Sequence, residues 1–270
     1  MMKNPAPWAS FDHFGVYYVN HCQTLLHELS VPVIYIQRWW RQRHEPRKKL
    51  YPIHVQRSFK TVQETVAKLK KGDALLCSQF RAFEKLDGTN FGIRCDGEMF
   101  GRRYRVEGDT YQRVPLVGRV SAIPGEAEVT AVKHAMIGEG FDNVELFLYG
   151  ELMCNPGKFD YKERAMGHKF FCFGAMITST NHCTEILAKL LEKGFVAYLC
   201  KDGQIRVTMN EIFSGCIEKY GVLSAPLLEA GPLRDLCFRV KNNIMMKDGM
   251  EGVVLTSDTG GLFKWKTSTS

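Results

Sequence analysis

The sequence lacks the features of membrane, secreted and disulfide-stabilised proteins. It contains no apolar run of roughly 18 residues, the length that a transmembrane helix needs. Residues 1–30 have no basic start, apolar core and small-residue cleavage site of a secretory signal. The nine cysteines are odd in number and none lies in a C-x-x-C pair, which argues against a disulfide framework or a structural zinc site. We therefore expect an intracellular protein without a membrane partner, cytoplasmic or nuclear, with an organelle left open.

Two common nucleotide-binding signatures are also missing. The chain has neither a Walker-type Gly-x-x-x-x-Gly-Lys loop nor a Rossmann glycine fingerprint, and it has no internal repeat. What it has is an ordinary globular composition of 270 residues, 45% hydrophobic and 24% charged. Its net charge of +7 fits a polyanionic partner such as a nucleic acid.

Residues 1–60 differ from the rest of the chain. They contain three of the four tryptophans, and residues 38–60 hold eight lysines and arginines against one acid. Basic side chains neutralise phosphates and aromatic rings stack on bases, so this segment is a candidate RNA-binding arm. The candidate RNA-binding residues are Arg38, Trp39, Trp40 and Arg41. The alternative is that the two tryptophans pack on the domain while the charges stay solvated. We predict a basic, tryptophan-containing N-terminal extension over 1–60 and a single domain over 61–270.

The remaining sequence alternates short apolar strands with amphipathic helices. Helical spacing predicts helices from Thr61 to about Gly72, over Glu126–Glu139, over His182–Lys193 and from Pro232 to about Asn242. Predicted strands are Leu75–Cys77, Asn90–Cys95, Met99–Val106, Val144–Tyr149, Phe170–Ile177, Val196–Cys200, Ile205–Val207, Gly252–Thr256 and Leu262–Lys266. Asp-Gly pairs at 96–97 and 202–203 indicate tight hairpins. The pattern favours an α+β fold with largely antiparallel sheets.

A lysine before an Asp-Gly turn, in residues 84–90, is the first pattern that carries chemistry. Gly88 permits a tight turn and the close approach of a ligand. Lys85 is a candidate amine nucleophile, provided that neighbouring cations lower its pKa enough to leave it neutral. Taken alone, the pattern is more typical of a solvated loop residue.

Four further residues place charged groups next to buried strands. Glu151 follows an apolar strand and can accept ribose hydroxyl protons or hold a metal, and Glu251 precedes a buried strand as a candidate metal or phosphate-site ligand. Lys264 and Lys266 alternate along a strand, so both ammonium groups point to one face. Two cations on one face suit a triphosphate and lower the pKa of a neighbouring lysine. Each of these patterns, taken alone, also fits solvated side chains at a strand.

In order and spacing, these patterns resemble the covalent nucleotidyltransferases, the polynucleotide ligases and mRNA capping enzymes, over residues 75–266. The matching segments are Lys85-Leu86-Asp87-Gly88, Phe100-Gly101-Arg102-Arg103-Tyr104, Tyr149-Gly150-Glu151-Leu152, Phe171-Cys172-Phe173, Glu251-Gly252-Val253-Val254 and Lys264-Trp265-Lys266. The spacing from Lys85 to Glu151 is 66 residues, from Glu151 to Glu251 100 and from Glu251 to Lys264 13. The resemblance implies an adenylylation domain of two largely antiparallel sheets with flanking helices.

The resemblance also implies the roles of individual residues, with ATP and Mg²⁺ or Mn²⁺ as cofactors. Lys85 is the implied nucleophile that becomes lysyl-AMP. Phe173 is expected to stack on the purine, Glu151 to contact the ribose, and Glu251 to meet the metal directly or through water. The other implied nucleotide contacts are Asp87, Gly88, Asn90, Arg102 or Arg103, Lys264 and Lys266.

Thr89-Asn90-Phe91 resembles the branch of RNA ligase 2 and the RNA-editing ligases, because DNA ligases and capping enzymes typically place an arginine where Asn90 stands. Two positions depart from that branch, which often has histidine at Asp87 and usually an acid at Gly174. Only four residues follow Lys266. We therefore expect no C-terminal OB domain, and either a minimal ligase, a fragment, or a subunit whose C-terminal function comes from a partner.

The expected function is that of an ATP-dependent RNA ligase, which joins 5′-phosphate and 3′-hydroxyl ends through lysyl-AMP. The enzymatic alternatives are a GTP-dependent mRNA capping guanylyltransferase and the catalytic domain of a DNA ligase. A non-enzymatic alternative is a pseudo-ligase that binds RNA. The combined presence of Lys85, Glu151, Glu251, Lys264 and Lys266 speaks against a pseudo-ligase, because a binding module does not need all five.

Overall fold

The computed structural model describes residues 60–61, 74–102, 105–116, 122–155, 159–200, 202–257 and 262–266. All of them belong to one unit, Lys49–Ser270. Several predictions lie outside the described residues: the RNA-binding set Arg38, Trp39, Trp40 and Arg41, the helix expected after Thr61, and the position of Arg103.

The strands of the described residues are β1 (Lys60–Thr61), β2 (Gln79–Lys85), β3 (Thr89–Arg94), β4 (Met99–Gly101), β5 (Thr110–Tyr111), β6 (Val114–Pro115), β7 (Glu145–Leu152), β8 (Phe170–Thr178), β9 (Val196–Leu199), β10 (Ile205–Thr208), β11 (Leu223–Ser224), β12 (Leu227–Pro232), β13 (Gly252–Ser257) and β14 (Leu262–Lys266). The helices are α1 (Ala74–Cys77), α2 (Glu126–Ile137), α3 (Cys183–Glu192), α4 (Glu211–Glu218) and α5 (Leu233–Lys241).

These strands form two large sheets and one small one. The first sheet has five strands in the order β1-β14-β13-β2-β12. The second has seven strands, in the order β4-β3-β7-β8-β10-β9 with β11 beside β8, and β5 pairs with β6 apart from both. Neighbouring strands run antiparallel except in the β1–β14 and β11–β8 pairs. The predicted α+β fold of two largely antiparallel sheets with flanking helices is confirmed.

The two large sheets have separate hydrophobic cores, and β2 contributes to both. Helices α2, α3 and α4 supply Met136, Ile186 and Phe213 to the core that the seven-stranded sheet covers. Helix α5 packs on the five-stranded sheet, whose core includes Phe80 of β2. On the other face of β2, Phe83 joins the larger core. Each fully buried side chain of this kind stabilises the fold by about 1.5–3 kcal/mol, so β2 is fixed from both sides.

Some predicted elements differ from the observed ones. Residues 75–77, predicted as a strand, form part of α1, where Ser78 closes the helical turn by donating from its hydroxyl to the Ala74 carbonyl at 3.1 Å. The strand predicted over 99–106 ends at Gly101, because Arg105 pairs back with Phe100 instead of continuing it. Helix α2 ends at Ile137, before the predicted Gly140.

The two predicted hairpins and the predicted core faces of α2 and α3 are observed, apart from one residue of α3. Gly97 and Gly203 both adopt φ of 78°, the left-handed conformation that an Asp-Gly turn uses. On α2, the predicted inward residues Val129, Val132 and Met136 are fully buried. On α3, Ile186 and Leu190 are fully buried, whereas Leu191, predicted to lie in the same apolar stripe, is 53% exposed.

Candidate active site

The turn after the predicted nucleophile connects the two large sheets. Strand β2 ends at Lys85 in the five-stranded sheet and β3 begins at Thr89 in the seven-stranded sheet, so residues 86–88 cross between them. The backbone N–H of Gly88 donates to Glu151 Oε1 at 3.2 Å. A Cβ at Gly88 would overlap the carbonyl oxygen of Leu152. The crossing therefore needs glycine at this position for close packing.

The buried Glu251 carboxylate contacts two lysines, which lie at the ends of the two strands that flank β13. Gly252 of β13 lies between Lys85 of β2 and Lys266 of β14 in the sheet register. The residue before it, Glu251, is 6% exposed and contacts both ammonium groups. Its Oε2 accepts a hydrogen bond from Lys85 Nζ, and its Oε1 lies 2.9 Å from Lys266 Nζ. The strand register therefore brings together residues that are far apart in the sequence.

Further cations surround this carboxylate. The pKa of Lys264 is lowered, first by burial and then by the charges of Lys266, Lys85 and Arg102. Like charges disfavour the protonated amine when they lie within a few ångströms of each other. Four basic side chains close to one acid form a site suited to an anion as highly charged as a triphosphate.

Glu151 lies on the neighbouring sheet and faces the same turn. It is opposite Asn90 in the β3–β7 register, and Asn90 Nδ2 donates to Glu151 Oε2 at 2.9 Å. Burial raises the pKa of Glu151 to about 8, against the lowering effects of the Lys85 charge and of the hydrogen bonds from Gly88 and Asn90. The charge of Lys85, on the five-stranded sheet, thus acts on the pKa of Glu151, on the seven-stranded sheet. The two side chains therefore belong to one site.

Because the pKa of Glu151 is raised in the folded chain, the stability of the fold should depend on pH. The carboxyl takes up its proton at about pH 8 in the folded chain and at its ordinary value of 4.5 in the unfolded chain. Between these values the folded state binds more protons, so this contribution to stability is complete below 4.5 and declines as the pH rises through 8. The slope is at most about 1.4 kcal/mol per pH unit.

Thermal unfolding of the wild type and of Glu151→Gln across this pH range tests that contribution. Glutamine does not titrate, so the wild type should lose stability relative to the variant as the pH rises. Parallel stability curves for the two proteins would contradict the assigned pKa.

The predicted purine-stacking residue, Phe173, lies at an irregularity of β8. Tyr149 pairs with Gly174 and Gly150 with Cys172, so Phe173 is an extra residue in this strand, a β-bulge. Its half-buried ring meets the ring of Tyr149 edge-on, with the centroids 5.4 Å apart. A Cβ at Gly174 would overlap the Tyr149 hydroxyl. The Tyr149 ring thus fills the space beside Gly174.

The structure brings most of the predicted site residues together. Around the turn between the sheets lie Lys85, Asp87, Gly88, Asn90, Arg102, Glu151, Glu251, Lys264 and Lys266. Phe173 lies on β8, the strand next to that of Glu151. Sequence reasoning missed two contacts next to this turn, that of Tyr161 with the Asp87 backbone and that of Arg164 with Glu84. The pairing of Glu84 with Arg164 joins residues 80 positions apart, and no local pattern signals it.

The site offers a divalent cation few protein ligands. Among the described residues there is no group of three or more His, Cys, Asp and Glu side chains that could hold a metal ion. The Glu251 carboxylate already contacts Lys85 and Lys266. Mg²⁺ commonly keeps several waters and binds through one or two carboxylates and substrate phosphates. These residues therefore fit an ion that is held mainly by the phosphates of a nucleotide.

No helix within the described ranges is long and apolar enough to cross a membrane.

The RNA ligase family model matches residues 78–266. This match covers more than half of the chain and includes every motif from Lys85 to Lys266, so the chain belongs to the RNA ligase family. The comparison with curated proteins gave no match.

Solved structures of an RNA ligase from Naegleria gruberi are also similar. A variant of that ligase with ATP and Mn shares 14% identity over 78% of this chain and 55% of its own, with a TM-score of 0.45. The complex with pyrophosphate shares 17% identity over 77% and 54%, also at 0.45. A variant with AMP and Mn shares 15% identity over 77% and 55%, at 0.41. The chain therefore spans just over half the length of these solved ligases.

Proposed function

We propose that this chain is an ATP-dependent RNA ligase that joins 5′-phosphate and 3′-hydroxyl ends through a lysyl-AMP intermediate. The observation that carries the proposal is the buried Glu251 carboxylate, which holds Lys85 and Lys266 beside the Glu151–Asn90 pair. A module that only bound RNA would not need an amine held against a buried carboxylate within a cluster of cations. Membership of the RNA ligase family supports the same activity.

In the first step, Lys85 attacks ATP. Its Nζ loses a proton, for which the hydrogen-bonded Glu251 carboxylate is an available acceptor. The neutral amine then forms a bond to the α-phosphorus, the bond to the bridging oxygen breaks, and pyrophosphate leaves with that electron pair. Lys264, Lys266 and Arg102 stabilise the charge on the phosphates. Arg103 is proposed to share this role with Arg102.

Other residues hold the nucleotide in line for this attack. Glu151 accepts hydrogen bonds from the ribose hydroxyls, and the half-buried ring of Phe173 stacks on adenine. Asp87, Gly88 and Asn90 shape the turn that the nucleotide faces. Glu251, directly or through water, and the nucleotide phosphates would hold a magnesium or manganese ion, which would offset phosphate charge and orient the leaving group.

The later steps act on RNA. The 5′-phosphate of an RNA strand takes AMP from Lys85, and a neighbouring 3′-hydroxyl then attacks the activated phosphate and releases AMP. The predicted N-terminal extension, residues 1–60, is the proposed RNA-binding arm of the adenylylation domain over 61–270, through Arg38, Trp39, Trp40 and Arg41. A partner subunit that supplies a C-terminal function is also part of the proposal.

Nucleotide and substrate preference test the proposed function. The purified chain is incubated with Mg²⁺ and α-labelled ATP or GTP, run on a denaturing gel, and then supplied with nicked RNA or nicked DNA duplexes. We expect the protein to take label from ATP and not from GTP. We also expect nicked RNA to be sealed at least about tenfold faster than nicked DNA, because a protein site specific for RNA recognises the 2′-hydroxyl. Label from GTP alone would indicate a capping enzyme, and faster sealing of DNA a DNA ligase. Label with ATP but no sealing would indicate the need for the partner, and no label would overturn the proposal.

A further inference from the structure

Residues 159–168 follow β7, the strand that carries Glu151. They contact β2, the strand that carries Lys85, on the face opposite the Lys85 side chain. Glu84 precedes Lys85 on β2, and its side chain lies on the opposite face from Lys85 because successive strand residues alternate. There it is almost fully buried, with 4% of its surface exposed. The Arg164 guanidinium forms a two-pronged ion pair with it, with NH1 donating to Oε1 at 2.7 Å and NH2 donating to Oε2.

The same segment holds the backbone on the other side of Lys85. The Tyr161 hydroxyl accepts a hydrogen bond from the backbone N–H of Asp87 at 2.8 Å. Tyr161 is fully buried in a small cluster that includes Leu86 and Met166. Burial raises its pKa, so the hydroxyl stays protonated at neutral pH. The residues one before and two after Lys85 are thus each fixed by a side chain of this segment.

The backbone of the segment is strained, which indicates that its contacts are needed. Phe159, Asp160, Ala165 and His168 all have positive φ, between 50° and 57°, although none of them is glycine. Such conformations persist where the surrounding structure imposes them, and they are concentrated at functional sites. Asp160 also packs so closely on Gly249 that a Cβ there would overlap its carboxylate. The segment therefore touches the chain leading into Glu251 as well as the chain around Lys85.

We propose that residues 159–168 form a clamp that positions the Lys85 amine for attack, with Tyr161 and Arg164 as its positioning residues. Neither residue contacts the nucleotide in this account: Tyr161 acts through the Asp87 backbone and Arg164 through Glu84. The clamp joins the strand that carries Glu151 to the two segments that carry Lys85 and Glu251. Its function is to keep the amine in line with the phosphorus when ATP is bound. This inference rests on the proposed function, since it concerns the same adenylylation step.

Single-turnover transfer of label from ATP to the protein, measured over a range of ATP concentrations, tests the clamp. Tyr161→Phe keeps the packed ring and removes only the acceptor of the Asp87 N–H. Misplacing a reacting group by about 1 Å can cost up to a hundredfold in rate, so we expect the rate at saturating ATP to fall about 10- to 100-fold. The ATP concentration for half-maximal rate should stay within about twofold of the wild type, because the nucleotide contacts are untouched.

Variants of Arg164 and a neighbouring lysine provide the comparison. Arg164→Ala leaves the buried Glu84 carboxylate unpaired and should lower the rate of label transfer. Arg164→Lys keeps the positive charge but loses the two-pronged geometry, so it should restore only part of that rate. Lys162→Ala, an exposed position in the same segment, should behave as wild type. A purely structural role would reduce the labelled fraction in proportion to unfolded protein and leave the rate constant unchanged.

The outcomes separate the clamp from the proposed function. A wild-type rate constant in both Tyr161→Phe and Arg164→Lys would overturn the clamp, and so would a change confined to the labelled fraction or to the half-saturating ATP concentration. In each of these cases the wild type still takes label and the ligase proposal stands. A wild type that takes no label means that the proposed function itself fails, and the clamp fails with it.

Discussion

Replacing Lys85 with alanine should abolish the transfer of AMP to the protein. Lys85 Nζ is the atom that bonds to the α-phosphorus in the proposed mechanism, and no neighbouring group takes over that position. Losing a nucleophile commonly costs at least about 10³-fold, which places residual labelling below detection on a denaturing gel. The measurement is the rate of label transfer from α-labelled ATP in the presence of Mg²⁺.

A second variant separates the amine's chemistry from its charge. Lys85→Arg keeps a cation next to the Glu251 carboxylate, so the electrostatics of the site change little, but a guanidinium is protonated at any working pH and is not a nucleophile. It should therefore be as inactive as Lys85→Ala while unfolding close to the wild-type temperature. Label transfer at a measurable fraction of the wild-type rate in either variant would remove Lys85 from the mechanism.

Neutralising Glu251 should have the next largest effect. Glu251→Gln removes the negative charge that holds both Lys85 and Lys266. The Lys85 amine then loses its hydrogen-bonded anchor and proton acceptor, so we expect label transfer to fall by about 10²-fold or more. Loss of a buried charged partner also costs stability, on the order of 1–3 kcal/mol. Label transfer and thermal unfolding measure the two effects on the same preparation.

Glu185→Gln provides a matched control for the Glu251 variant. Glu185 lies on α3 and also has a lysine partner, with Lys189 Nζ 3.1 Å away, but both side chains are well exposed to solvent. Solvent screens an exposed pair of this kind, so this variant should keep nearly full activity and stability. Equal labelling rates in Glu251→Gln and Glu185→Gln would contradict the anchoring role of Glu251.

The sequence predicted several of the elements in which one face of a helix or strand is buried. Helix α3 and the β9–β10 hairpin show clear apolar periodicity and a glycine at the turn, and both are observed close to their predicted bounds. Strand β2, which carries the nucleophile, was missed. It is buried on both faces, and its buried positions include the charged Glu84, so its sequence does not alternate between apolar and polar residues.

The candidate site was predictable because the order of its motifs is a property of the sequence, whereas its geometry depends on strand register. Lys85, Glu151, Glu251, Lys264 and Lys266 could all be named from local patterns taken together. The ion pairs of Glu251 could not, because the antiparallel pairing of β2, β13 and β14 creates them. The contacts of Tyr161 and Arg164 also arise from tertiary packing, so no spacing in the sequence announces them.

The most direct test of the account is to locate the nucleotide on the protein. The purified chain is incubated with ATP and Mg²⁺, digested under alkaline conditions that preserve a phosphorus–nitrogen bond, and its peptides are analysed by mass spectrometry. We expect a single AMP adduct on the side-chain nitrogen of Lys85, lost when pyrophosphate is added back. AMP on Lys264 or Lys266, or unmodified Lys85 in a chain that still transfers AMP, would contradict it.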